Sequence, residues 1–183
     1  MEEKLPKFNV EITDDRLYDG ARELISKIRP EWPLNRLSFK IFTDGITNRL
    51  IGVYLDPRNK HDMVLIRIYG ENTDLFIDRN AECCNMRIMY KHGLSAPIYG
   101  TFLNGICYGY SPGRVLDEKL VRDPNMSQLI AEKMAQMHTL KPMKTTISNI
   151  QKSPIQACLF RDMKKFIALV DSALPLKIST NKK

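Results

Sequence analysis

Phe42-Thr43-Asp44-Gly45-Ile46-Thr47-Asn48 stands between two runs of extended character, Leu37 to Phe42 and Leu50 to Leu55. A third such run, Val64-Leu65-Ile66-Arg67-Ile68-Tyr69-Gly70, carries an arginine at its centre. A turn of Gly and small hydroxyl residues lets backbone N–H groups approach an anion closely, and a cation on a buried strand can reach the same phosphates. Common phosphate loops lead from a strand into a helix. Here Arg49-Leu50-Ile51-Gly52-Val53-Tyr54 continues as a strand instead, which makes the segment a β-turn-β ribbon.

Working outward, Leu17, Ala21, Leu24, Ile25 and Ile28 recur at helical spacing before Pro30, with Thr13 or Asp14 as the cap. Downstream, Leu75-Phe76-Ile77 suggests a short strand, and a helix is expected from about Ala81 to His92, capped by Asn80 and ended by Gly93. Ile98 to Phe102 and Ile106 to Tyr110 flank Asn104-Gly105, a hairpin signal because both residues tolerate positive φ. Asp123-Pro124 opens a helix with Met126, Leu129, Ile130, Met134 and Met137 on one face, ending before Pro142. Ser153-Pro154 opens another, striped by Ile155, Cys158, Leu159, Met163, Phe166, Ile167 and Val170. The tail ending in Asn181-Lys182-Lys183 reads as mobile.

Composition narrows the class without deciding it. The 183 residues are 43% apolar, enough for one core, and the net charge of +7 suits nucleotide phosphates, nucleic acid or acidic membranes equally. The basic residues are scattered and no aromatic-basic RNA motif appears, which argues against nucleic acid. Cys83, Cys84, Cys107 and Cys158 form no C-x-x-C pair, so a reducing intracellular compartment is expected. Met1-Glu2-Glu3-Lys4 has no basic segment leading into an apolar run, so no secretory signal is expected. The uncharged stretch Gly93 to Gly113 holds five glycines and two prolines, which suits turns rather than a membrane span.

Taken singly, Asp44-Gly45 fits a plain hairpin turn, Arg67 a sheet-edge cation and Glu82 a first-turn acid that complements a helix dipole. Their joint order β, turn, β, β, α, β, β is that of a kinase small lobe, where a strand cation holds phosphates and a helix carboxylate orients the cation. The expected architecture is α+β: a protein-kinase-like small lobe of five antiparallel strands plus a helix, with an N-terminal helix and the first helices of a truncated large lobe.

Phe42 to Asn48, Val64 to Gly70, Ile77-Asp78-Arg79 and Gly105-Ile106-Cys107-Tyr108 closely resemble the ethanolamine kinases of the choline/ethanolamine kinase family. The resemblance covers roughly residues 15 to 140 and continues faintly to about 170. It implies a cytosolic enzyme that transfers the γ-phosphate of ATP to ethanolamine, with Mg2+ as the metal, in the CDP-ethanolamine route to phosphatidylethanolamine. By this resemblance, Thr43, Asp44, Gly45, Ile46, Thr47 and Asn48 form the phosphate loop, Arg67 contacts the phosphates, and Glu82 pairs with Arg67. Tyr108, Gly109, Tyr110 and Ser111 form the hinge whose backbone faces adenine. Gly109 stands where relatives carry an acid, and is expected to loosen that hinge. The implied organisation is a helical segment at 1–34, a nucleotide lobe at 35–112, a partial helical lobe at 113–176 and a tail at 177–183.

The family's catalytic loop resembles His-x-Asp-x-x-x-x-Asn, and none of His61, His92 or His138 begins such a run. Phe160-Arg161-Asp162 imitates part of it, but Ile167 stands five residues after Asp162 where Asn is needed. Beyond Asp162 only Asp171 remains as an acid, so the metal ligands are expected in a C-terminal part that this chain lacks. Phosphoryl transfer is mostly positioning and charge neutralisation, so the chain alone is expected to be inactive or nearly so. The alternative reading is a non-catalytic binding or regulatory module on the same scaffold. Unpartnered apolar stripes on the last helices imply self-association or pairing with an intact kinase.

Overall fold

The computed structural model describes residues 4–43, 48–140 and 159–173, the last three by backbone alone. The chain divides into two units, Met1–Pro142 and Met143–Lys183. In the first, β1 (Lys7–Phe8), β2 (Ser38–Phe42), β3 (Arg49–Tyr54), β4 (Val64–Ile68), β5 (Ile98–Phe102) and β6 (Gly105–Gly109) form one sheet in the order β1-β5-β6-β4-β3-β2. Only the β1–β5 pair is parallel. The helices are α1 (Leu17–Ile28), α2 (Arg79–Lys91), α3 (Glu118–Arg122) and α4 (Pro124–His138). In the second unit, α5 spans Leu159–Ala173, and the expected start at Ser153-Pro154 lies outside the described residues.

Strand alternation gives the sheet two different faces. Ile51, Val53, Val64, Ile66, Ile68 and Cys107 turn to one side, where Ala21, Leu24 and Ile25 of α1 complete the core with Val10, Ile12 and Phe102. Residues opposite one another across strands share a face, so the registers Leu50↔Arg67↔Ile106 and Leu65↔Tyr108 put Arg67 on the other side. The cation thus stands on the face opposite the apolar core.

Several local expectations give way to better hydrogen bonding. A sixth strand joins the expected five, because residues 6–12 run along β5: Thr101 N donates to Pro6 O at 2.9 Å and Leu103 N to Val10 O at 3.0 Å. A two-residue strand carries no periodicity to read. The Asn104-Gly105 hairpin exists, yet neither residue takes positive φ. Asn104 instead clamps the N-terminal segment: its Oδ1 accepts from Ile12 N at 3.1 Å and its Nδ2 donates to Ile12 O at 2.9 Å. Gly105 is required by crowding, since a Cβ there would stand 2.3 Å from Arg67 O and 2.2 Å from Phe102 Cζ.

Other element ends move as well. Asp14, one of the two expected caps of α1, forms an ion pair with Arg49, and Arg16 precedes the helix without a side-chain cap. The expected strand at Leu75 to Ile77 is a 3-10 turn over Thr73–Leu75, entered through Asn72 at φ 58°. Asp78 rather than Asn80 caps α2, accepting from Asn80 N and Ala81 N. Gly93 ends that helix region in the left-handed conformation at φ 70°. Asp123 and Pro124 open α4 as expected, while the short α3, capped by Asp117, had no apolar period to announce it.

The clamp and the crowded glycine predict two losses in urea unfolding. Asn104→Ala strands both polar groups of Ile12 and should cost about 1–3 kcal/mol. Gly105→Ala should cost about 1–3 kcal/mol or more through overpacking against backbone; wild-type stability in either variant would refute the assigned role.

Candidate functional site

Arg67 reaches the site because β4 alternates, and Glu82 because it lies in the first turn of α2 just after the Asp78 cap. Arg67 Nη2 donates to Glu82 Oε1 at 2.5 Å, and Arg79 Nη1 donates to Glu82 Oε2 at 3.1 Å. The side chains are only 22%, 18% and 23% exposed for Arg67, Arg79 and Glu82, so solvent screens these pairs weakly. Two guanidiniums on one carboxylate leave a net positive charge on the sheet face, as an anion site requires.

Aromatic rings enclose the cations. The Arg79 guanidinium carbon lies 3.7 Å from the Tyr69 ring centroid, and that of Arg67 lies 5.8 Å from Tyr69 and 5.9 Å from Tyr108. The Tyr69 hydroxyl and the Nε atoms of Arg67 and Arg79 are buried and find no hydrogen-bond partner among the described residues. Burial, followed by the neighbouring Cys83 and Glu82, pushes the Tyr69 phenol up to about 12. Burial likewise raises the Tyr108 phenol and the Cys83 thiol.

Of the expected phosphate loop, Asp44, Gly45, Ile46 and Thr47 lie outside the described residues. Thr43 and Asn48 flank them, and Asn48 Oδ1 accepts from Gly70 N at 3.4 Å, which ties the exit of the turn to the end of β4. At the opposite end of the sheet, Gly109 pairs with Val64 and Tyr110 N donates to Met63 O at 3.0 Å. Ile106, the partner of Arg67, and Gly109 are three residues apart on one strand, roughly 10 Å. Ser111 is exposed beyond them.

Gly109, expected to loosen the hinge, takes no positive φ and is closely packed. Its N–H donates to Pro97 O at 2.8 Å, and a Cβ would come within 3.0 Å of Pro97 Cδ and 3.2 Å of the Tyr99 hydroxyl. The glycine allows close packing, and an acid there would push on Pro97.

Sequence reasoning passed over Tyr69, Thr73 and Arg79 as site residues. The available signal was the spacing of Arg79 and Glu82, three apart on one helix face. A cavity of ≈ 780 Å³ lies beside this group, bordered by Tyr69, Arg79, Cys83 and Phe102 but not by Arg67 or Glu82. Among the described residues no group of three or more His, Cys, Asp or Glu could hold a metal ion. No helix among them is long and apolar enough to cross a membrane.

Tyrosine absorbance against pH tests the enclosure. Tyr69 should ionise near pH 12, late for a phenol whose ordinary value is about 10, and Tyr69→Phe should delete that late step. The phenol binds its proton more tightly folded than unfolded, so stability is full below pH 10 and declines as pH rises towards 12. Because its hydroxyl is unpaired, Tyr69→Phe should hold stability within about 0.5 kcal/mol at neutral pH.

Comparison with known proteins gives concordant matches. The choline/ethanolamine kinase family model matches residues 39–183. Human ethanolamine kinase 1 (Homo sapiens) is 40% identical over 140 residues, 75% of this chain and 31% of the relative. Mouse ethanolamine kinase 2 (Mus musculus) is 40% identical over 136 residues, 74% of this chain and 35% of the relative. The solved ethanolamine kinase of Plasmodium vivax superposes with a TM-score of 0.74 at 26% identity, covering 93% of this chain and 47% of that one. The chain spans about a third of the length of the two mammalian relatives. A choline kinase structure from Cryptosporidium parvum, at 20% identity and a TM-score of 0.63 over 90% of this chain and 45% of that one, shares the fold.

Proposed function

This chain belongs to the choline/ethanolamine kinase family, and on that premise we propose that it carries the ATP-binding part of an ethanolamine kinase. The observation that carries the reading is the Arg67–Glu82 pair, a strand cation oriented by a helix carboxylate on the sheet face away from the core. In this reading the backbone of the Thr43 to Asn48 turn covers the triphosphate and Arg67 meets its oxygens. The backbone of Gly109, Tyr110 and Ser111 faces adenine. Arginine suits the place because its planar fork can hold phosphate and carboxylate together. Residues 35–112 form the nucleotide lobe, and 113–176 belong to a helical lobe.

The reaction we propose for the whole enzyme is transfer of the ATP γ-phosphate to ethanolamine, giving phosphoethanolamine for phosphatidylethanolamine synthesis in the cytosol. Ethanolamine is chosen over choline because both mammalian relatives and the Plasmodium structure bear that name. Within the 183 residues there is no His-x-Asp-x-x-x-x-Asn run to supply a base and a metal-binding amide. These residues by themselves therefore bind nucleotide without turning it over. That same lack favours a second reading, a non-catalytic module that pairs with an intact kinase or with itself through the apolar stripes of its last helices.

Calorimetric titration with the non-hydrolysable analogue AMP-PNP tests the first reading. Wild type should bind it, and Arg67→Ala should weaken binding at least about tenfold, the scale of a lost charge-assisted hydrogen bond. Equal affinities would overturn the role of Arg67. With ATP and ethanolamine, formation of phosphoethanolamine by this chain alone would overturn the inactive reading, and copurification with a full-length kinase would favour the second.

A further inference from the structure

The bonds around Glu82 extend well beyond its pairing with Arg67. Asn48 Oδ1 accepts from Gly70 N at 3.4 Å, Gly70 O accepts from the Thr73 hydroxyl at 2.8 Å, and Thr73 Oγ1 accepts from Arg79 Nη2 at 2.5 Å. Arg79 Nη1 donates to Glu82 Oε2 at 3.1 Å, and Glu82 Oε1 accepts from Arg67 Nη2 at 2.5 Å. Arg67 is the register partner of Leu50, which follows Asn48 by two positions. The chain of bonds therefore leaves the strand beside the turn and returns to it, with Arg79 as its junction.

We infer that Arg79 is a positioning residue of the phosphate site, coupling the Asn48 end of the turn to Glu82 and keeping that carboxylate from neutralising Arg67. The inference rests on the reading that Arg67 meets phosphate. Its electrostatic basis is simple. A carboxylate facing one guanidinium makes a neutral pair, whereas facing two it leaves one positive charge for an incoming anion. Arg79 binds the second oxygen of Glu82, so its removal frees Glu82 to close both oxygens on Arg67.

Packing fixes Arg79 independently of Glu82. Its guanidinium lies 3.7 Å over the Tyr69 ring, and the left-handed Asn72 at φ 58° shapes the loop that brings Thr73 beneath Gly70. Arg79 borders the ≈ 780 Å³ cavity, which Arg67 does not line, and it acts on the phosphate face through Glu82. Lysine cannot replace it: a point charge does not stack flat on Tyr69 while donating to Thr73 and Glu82 at fixed angles.

A double-mutant cycle on the full chain tests this, with AMP-PNP and adenosine as probes. Arg79→Met should lower AMP-PNP affinity about tenfold while adenosine affinity stays within about twofold, since only the phosphates sense the charge. In the Glu82→Gln background, where no carboxylate can neutralise Arg67, adding Arg79→Met should change AMP-PNP affinity less than about twofold. Additive losses, or a parallel fall in adenosine binding, would reduce Arg79 to a structural residue and overturn the inference. Arg79→Lys should recover no more than part of the loss, and full recovery would overturn the fork argument. An effect of Arg67→Ala without one of Arg79→Met sinks this inference alone; absence of both sinks the phosphate reading with it.

Discussion

A single carboxylate held between two guanidiniums governs where α2 stands over the sheet. The two helices are fixed by different forces. α1 buries Gly20, Ala21, Leu24 and Ile25, whereas α2 has no fully buried residue. Apolar burial thus fastens α1 to its face of the sheet, at about 25 cal/mol per Å² of apolar surface removed from water. α2 is tied to the sheet by the Arg67–Glu82 pair, and Arg79 of the same helix stacks on Tyr69 and bonds Thr73. An arrangement held by ions in a partly buried setting is directional, and it responds to any charge brought near it. The apolar core lies on one face and the Arg67–Glu82–Arg79 ion cluster on the other, with a one-residue alternation along β4 dividing them.

Much of this was legible in the sequence because it obeys short periods. Val64-Leu65-Ile66-Arg67-Ile68 could only be a buried strand, and one polar residue in such a run has to face away from the core. Glu82 was legible from order alone, as a first-turn acid on the helix after that strand. What escaped were features with no period. Residues 7–8 became a strand because Asn104 and the β5 backbone offer partners, none of which is local. Asp78 and Asn80 are both good caps, and the choice between them is made by where the loop from Thr73 to Leu75 leaves the chain. Arg79, quoted only as part of Ile77-Asp78-Arg79, gained its place in the site from Tyr69, just past the end of β4, whose ring it stacks on.

The glycines carry a related lesson about reading freedom into small residues. Gly105 and Gly109 are conformationally ordinary: the first is sterically necessary against Arg67 O and Phe102, the second closely packed against Pro97 and Tyr99. Both sit on β6, the strand that links the end of the sheet near Gly70 to the hinge segment. Close approach, not bending, is what Gly105 requires, and both glycines lie on the strand that runs alongside β4.

The segment from Pro6 to Ile12 does more than cover hydrophobic surface, since the Pro6 and Val10 carbonyls accept from Thr101 N and Leu103 N along the outer edge of β5 and the Asn104 clamp holds Ile12 beside it. A shortened chain starting at Arg16, for instance one made by proteolysis, would keep Arg67, Glu82 and all of β2 to β6. It would also present a bare strand edge to which a foreign strand can add. Possession of the site and solubility as a separate molecule would then part company, and any shortened isoform or tagged variant disturbing those few residues inherits that hazard.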